Sequence, residues 1–368
     1  MKKLHTIKII GTTVFATAMT MTSFAYANTN ENIAFRTAIE AKGGTVNYDD
    51  TLKKVTANYN GTEINFIIGS GKINVNGTVV NEQTYLERGN TMINKTFLEN
   101  ILNNVAVSET KLEIGTIKTY DFGDIKLNAY LTNDVLNDVT YIVEKGDNAV
   151  IIEGTAFHNN VDELAEYIKL SGKNIAGALM AYHPNGYDKF HTDVYATENA
   201  VNSWQQGGSI RSLVDGFVVT FGDGIATEMP QTAKTITVEQ NITLGEIEFH
   251  IIEAGDDAYS VEIPEINCIY RHMMGSKCHN ILTSLEHIDA MIAEMKQYKQ
   301  KNYALILTSH YEPETLSAVD EKINYLETVK QIALQSNNAE EFKTNVKQKF
   351  ADYTGENYID MTAGFLFP

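Results

Sequence analysis

The chain is short of cysteine, of basic charge and of long apolar runs. Cys268 and Cys278 are the only cysteines among 368 residues, ten apart. An oxidising compartment permits one disulfide between them, but their spacing does not establish the geometry a bridge needs. Cys268 lies in an apolar run and also reads as a buried thiol. Cys278 adjoins His279 and also reads as a metal ligand. Lys and Arg total 29 against 47 Asp and Glu, a net charge of −18. A polyanion is repelled by such a field, so no nucleic-acid partner is expected. No G-x-S-x-G occurs, which removes the usual sequence mark of a serine nucleophile. Gly222-Asp223-Gly224 is followed by no Lys-Ser/Thr and reads as a turn, not a phosphate loop. Acids are so abundant that a glycosidase-type carboxylate pair carries no information.

What is present suits packed domains: 43% hydrophobic and 10% aromatic residues. Residues 1–27 read as a signal peptide. Lys2, Lys3 and Lys8 precede an apolar, small-residue run, and Ala25-Tyr26-Ala27 is a small-x-small cleavage site. The run is Thr-rich and weakly apolar for a permanent span, which takes about 20 predominantly apolar residues. Removing its three lysines takes the charge from −18 to −21. With no second apolar span and no C-terminal sorting signal, a secreted or cell-surface location is expected, without membrane attachment after signal removal.

From residue 28 the pattern changes. Ile33 to Ala41 has helical spacing, stopped by Gly43-Gly44. Lys54 to Tyr59 and Glu63 to Ile68 flank Asn60-Gly61, and a second Asn-Gly follows at Asn76-Gly77; both are hairpin signals. Met92 to Leu102 reads as helical. This order, with Phe35-Arg36, Gly43-Gly44 and Val75-Asn76-Gly77, resembles the copper amine oxidase N-terminal-like domain over about residues 31–104. The expected unit is a small α+β stalk or wall-contact domain at 28–104. It has no His or Cys, and copper favours imidazole and thiolate, so a copper site is not expected. Residues 105–119 read as a linker with a short strand.

The domain from 120 to 368 is organised around Ala181-Tyr182-His183-Pro184-Asn185-Gly186. A buried strand, 175–180, delivers it, after a helix at 161–170. Loops at strand C-termini border ligand crevices in α/β proteins. Phe217 to Phe221 reads as β-like. Ile281 to Lys301, Thr315 to Leu334 and Ala339 to Phe350 read as helices, with a buried strand, Tyr303 to Leu307, delivering Ser309-His310. The order resembles metallo-β-lactamase-fold hydrolases, whose H-x-H-x-D-H motif follows such a strand. Ser309-His310-Tyr311-Glu312-Pro313 and Tyr325-Leu326 resemble the tail of one hydrolase branch. The implied fold class is α+β: an αβ/βα metallo-β-lactamase-like sandwich behind the small α+β stalk domain.

Carried over position by position, the resemblance places the motif on Ala181, His183, Asn185 and Gly186, so only His183 retains a ligand. Later ligand positions fall on Asp256, His272 and His310. The implied site is therefore His183, Asp256, His272 and His310, holding one zinc, iron or manganese ion; a second ion would lack its ligands. Each residue also has an ordinary structural reading. His183 could bond its turn, and His272 could be a solvated neighbour of Arg271. His310 could donate to a carbonyl, and Asp256 could cap its own turn. His279 is a reserve ligand or substrate contact. Two functions follow: a secreted hydrolase with a reduced metal centre, acting on a small molecule or cell-wall component, or a catalytically inactive binding or surface module.

Overall fold

The computed structural model describes residues 32–368 except 60, 104, 255–257 and 273–274. The expected signal peptide and Asp256 lie outside the described residues. Two compact units divide the chain after Val107.

In the first unit Asn76-Gly77 joins two strands as expected, while Asn60 of the other Asn-Gly signal lies outside the described residues. Thr45–Asp49, Lys54–Tyr59, Thr62–Ile67, Lys72–Val75 and Thr78–Asn81 form an antiparallel five-stranded sheet in sequence order. A three-stranded sheet joins Asn32–Ala34, Asn90–Asn94 and Thr84–Glu87. Alternation places Val55, Ala57, Ile64 and Phe66 on one buried face. The helices Phe35–Ala41 and Lys95–Leu102 add Phe35, Ile39, Leu98 and Ile101 to the same core. Each such buried side chain contributes roughly 1.5–3 kcal/mol.

The second unit is a sandwich. Its first sheet has eight strands in sequence order: β1 (Ala106–Lys111), β2 (Thr116–Asp121), β3 (Ile125–Leu131), β4 (Val139–Lys145), β5 (Asn148–Ile152), β6 (Asn174–Leu179), β7 (Val194–Ala196) and β8 (Lys234–Thr235). Pairing is antiparallel from β2 to β5 and parallel from β5 to β8. The second sheet runs β9 (Asn241–Leu244), β10 (Ile247–Glu253), β11 (Tyr259–Ile263), β12 (Cys268–Tyr270) and β13 (Leu305–Leu307). Only its last pair, β12 with β13, is parallel.

Buried tyrosines fasten the sheets face to face. Tyr259 Oη donates to the carbonyls of Met180 (2.9 Å) and Tyr195 (3.0 Å), and Tyr141 Oη to that of Thr308 (2.6 Å). Helix α1 (His158–Ser171) covers β3: its buried Asn160 donates to Tyr130 Oη and the Thr132 carbonyl. Helices α2 (Glu198–Trp204) and α3 (Ser209–Phe221) follow β7. On the far side, α4 (Leu285–Lys301) and α5 (Leu316–Gln335) press Met295, Tyr298 and Val319 onto Ile269 and Ile306. Helices α6 (Ala339–Lys349) and α7 (Glu356–Leu366) complete a second core with them.

Three expectations need correction. Residues 105–119 are not a linker: β1 and the start of β2 lie there, paired into the large sheet. Phe217 to Phe221 is the last part of α3. Its β-branched Val218 and Val219 favour a strand locally, but Ile210, Leu213, Val214, Phe217 and Phe221 share a helical stripe. The helix expected from Ile281 begins at Leu285, where the Ser284 side chain accepts the His287 N–H as N-cap.

Candidate metal centre

Three strand ends deliver the site. After β6 the chain continues to His183, after β12 to His272, and after β13 to His310. One buried carboxylate links the three ends. Glu153 follows β5 with φ +66° and is fully buried. Its Oε2 accepts the His183 N–H at 2.7 Å, and its carboxylate also accepts the N–H groups of Ala181 and Tyr182. Tyr270 Oη donates to Glu153 Oε1 at 2.8 Å and shares a short hydrogen bond with Ser309 Oγ. Tyr270 lies two residues before His272, and Ser309 lies next to His310. A single network therefore fixes all three backbones.

The rings meet. His183 Nε2 lies 3.3 Å from His272 Nε2. Ring centroids are 5.4 Å apart for His183–His272, 5.0 Å for His183–His310 and 5.2 Å for His272–His310. One nitrogen from each ring falls within 4.8 Å of the others. Tyr182 stacks on His272 at 3.9 Å and 10°, which fixes the plane of that ring.

Asp138 stands behind the rings. It immediately precedes β4 and is fully buried. Its Oδ2 accepts the Ala156 N–H at 3.0 Å. Its Oδ1 lies 3.2 Å from His310 Nδ1 and 3.7 Å from His183 Nδ1, and makes no fully formed hydrogen bond. Burial alone would raise this carboxyl; His183 and His310 outweigh it and hold Asp138 below the usual carboxylate range. Burial lowers His183, with Asp138 opposing, and lowers His272 well below the usual imidazole range, helped by His310, His183 and Arg271.

These residues fit a metal ion. His183 and His272 are neutral near pH 7, as imidazole ligands must be. The 3.3 Å between their Nε2 atoms suits two ligands of one tetrahedral ion with bonds of about 2.0–2.1 Å. A carboxylate on the far nitrogens is the usual partner of ligating histidines.

The structure brings together three of the four expected ligands: His183, His272 and His310. Asp256 lies outside the described residues. The motif positions that carry no ligand type have other work. Ala181 is buried and its carbonyl accepts the Trp204 Nε1–H at 3.2 Å. Asn185 is buried and donates to the Ala226 carbonyl at 2.6 Å. Gly186 has φ +69°, and a Cβ there would lie 2.6 Å from Val161, so only glycine fits. His279 is not in the triad. It is buried against Tyr325 and Tyr353, with Nδ1 3.1 Å from Tyr325 Oη. Burial, with Lys322 adding to it, pulls His279 down to about 4. Cys268 and Cys278 are separate buried thiols. Sequence reasoning missed Asp138, since nothing marks one acid among 47.

Residues 15–114 match the copper amine oxidase N-terminal domain. No curated protein matches the chain in sequence. Solved structures are similar to well over half of the chain. A metallo-beta-lactamase family protein from Thermus thermophilus is 8% identical, with TM-score 0.46, covering 70% of this chain and 90% of its own. A metallo-beta-lactamase from Pontibacter korlensis is 14% identical, with TM-score 0.37, covering 60% and 99%. A stereoselective inverting sec-alkylsulfatase from Pseudomonas is 12% identical, with TM-score 0.45, covering 74% of this chain and 52% of its own. At these identities and scores the site rests on its own side chains.

Proposed function

We propose that residues 108–368 form a metal-dependent hydrolase-like domain with one ion site made by His183, His272 and His310. The observation that carries this reading is the 3.3 Å approach of two imidazole Nε2 atoms with the buried Asp138 carboxylate behind the rings. Zinc, iron or manganese suits the donor set. Such an ion, when bound, supplies Lewis acidity and lowers the pKa of water.

The chain's own residues prepare the site. The Leu136 carbonyl, 3.2 Å from His310 Nδ1, accepts an Nδ1–H there and leaves that ring's Nε2 lone pair free, and the Asp138 carboxylate faces Nδ1 of both His310 and His183. Glu153 holds the 181–183 backbone, and Tyr182 holds the His272 ring. With Ala181, Asn185 and Gly186 committed to packing and backbone contacts, the site serves a single ion. The proposed setting is secreted or cell-surface, with a small molecule or cell-wall component as substrate and the N-terminal unit as stalk or wall contact. Those three non-ligand positions favour a second reading, a catalytically inactive binding or surface module.

Elemental analysis of purified protein separates the readings. One ion per chain, lost in His183→Ala and His272→Ala, supports the first. A wild type that takes up no metal moves the conclusion to the second, and a stoichiometry near two rejects the site as drawn.

A further inference from the structure

Two groups that face His310 from behind come from one loop. It joins β3 to β4 and runs from Thr132 to Asp138. The Leu136 carbonyl lies 3.2 Å from His310 Nδ1, and Asp138 Oδ1 lies 3.2 Å from the same nitrogen. Hydrogen bonds hold the base of the loop. The Thr132 N–H and hydroxyl both donate to the Asp138 carbonyl at 3.1 Å. Asn160 of α1 donates to the Thr132 carbonyl at 2.9 Å. Val139, the residue after the loop, donates its N–H at 2.6 Å to the carbonyl of Ser309, next to His310.

The tip is restrained differently. Asn133 and Asn137 have φ of +56° and +53°, a left-handed conformation that most side chains resist and Asn tolerates. Asp134 stands between them. Its Oδ1 accepts the N–H groups of Leu136 and Asn137, each at 2.8 Å, the turn that an Asp side chain forms with its own following backbone. The second of these bonds acts across a peptide plane. The Asn137 N–H and the Leu136 carbonyl belong to one planar trans peptide unit and point opposite ways. Asp134 grips one end of that unit, which aims the other end at His310 Nδ1. The negative charge adds nothing to this grip. Burial, with Asp138 adding to it, raises the Asp134 carboxyl to about 6, and the hydrogen bonds from Leu136 and Asn137 oppose that cost.

We infer that Asp134 is a positioning residue for His310: it aims the Leu136 carbonyl so that the ring carries its proton on Nδ1 and keeps Nε2 as the free lone pair. Asp134 acts through one peptide unit, without contact to the ring. Its contribution is separate from that of Glu153. Glu153 fixes where the strand ends lie, and Asp134 fixes which nitrogen of one ring is left to bind. The consequence for metal affinity rests on the single-ion reading above; the choice of tautomer does not.

The test uses the full-length protein, first without metal and then with Co²⁺ alone. Nitrogen NMR of isotope-labelled histidines reads the tautomer of each ring, with His310→Gln identifying the His310 signals. Wild type should hold the Nδ1–H form of His310. Asp134→Ala should mix the two tautomers and weaken Co²⁺ binding about 10-fold or more, the usual effect of disturbing an outer partner. Asp134→Asn keeps the oxygen for both N–H groups and should match wild type in tautomer and affinity. An Asp134→Ala protein that melts earlier yet keeps the Nδ1–H form and wild-type Co²⁺ affinity overturns the inference and leaves the single-ion reading intact. Asp134→Asn failing as badly as Asp134→Ala overturns it too, since charge would then be the cause. A wild type that binds no Co²⁺ rejects the single-ion reading, while a tautomer lost in Asp134→Ala and kept in Asp134→Asn still supports the positioning role. If Asp134→Ala does not fold, Asp134→Ser, whose acceptor is shorter, makes the same comparison against Asp134→Asn.

Discussion

Glu153 Oε2 accepts the backbone N–H of His183 at 2.7 Å, so a buried acid sets the position of a ring it does not touch. Glu153→Gln keeps the shape but turns an amide N–H₂ toward donors. Hydrogen bonds to a charged group contribute about 1.5–3 kcal/mol each, and stranded buried donors add their desolvation cost. The expected result is a loss of at least about 3 kcal/mol in urea unfolding, together with weaker metal uptake. Unchanged stability would show that the carboxylate is not the organiser.

Tyr270→Phe tests the same network from the second sheet. It removes one hydroxyl between Glu153 and Ser309. A cost of about 1–3 kcal/mol is expected, with metal affinity reduced because His272 and His310 lose a common restraint. Isothermal titration with zinc, beside chemical unfolding, reads both quantities.

Asp138→Asn leaves volume unchanged and removes the charge facing His183 and His310. Metal affinity should fall about 10- to 100-fold while circular dichroism stays that of wild type. Equal zinc affinity in the variant would remove Asp138 from the site.

The apo protein should lose stability in acid, partly through His279. Its folded pKa is about 4, below the ordinary value of about 6.5. The folded state therefore binds fewer protons than the unfolded chain between these limits. The stabilising contribution is complete above about pH 6.5 and is lost as pH falls toward 4, on the order of 3 kcal/mol in all. His183 and His272, also lowered by burial, act in the same direction. Unfolding midpoints for wild type and His279→Phe across pH 4.5–7.5 should converge at low pH. Parallel curves would reject the assignment.

The histidines were legible because apolar runs announce buried strands. The runs ending at Met180, Tyr270 and Leu307 are each followed within three residues by a His. Their convergence came from the resemblance, not from spacing, since no local pattern relates His183 to His272. Asp138 was illegible because its partners lie 45 and 172 residues away, beyond any local pattern. Segment 105–119 looked like a linker because β1 is rich in polar residues, with Val107 and Ser108 to Lys111 exposed; edge strands often carry charge. Helix α3 was misread because valines near its end speak for a strand, while the helical stripe spans the whole segment. The free thiols show the limit of cysteine counting: proximity in sequence says little about two side chains in different surroundings.

The triad draws on both layers of the sandwich. His183 leaves the eight-stranded sheet, and His272 and His310 leave the five-stranded one. An ion held by all three would act as a rivet between layers that otherwise meet through buried tyrosines and apolar packing. Any opening of the sandwich at that edge must release the ion first. Metal in excess of its dissociation constant should then slow exchange of the buried amides of β6 and β12 together, by the linkage that favours whatever state binds the ligand. Occupancy becomes a report on whether the two halves are closed.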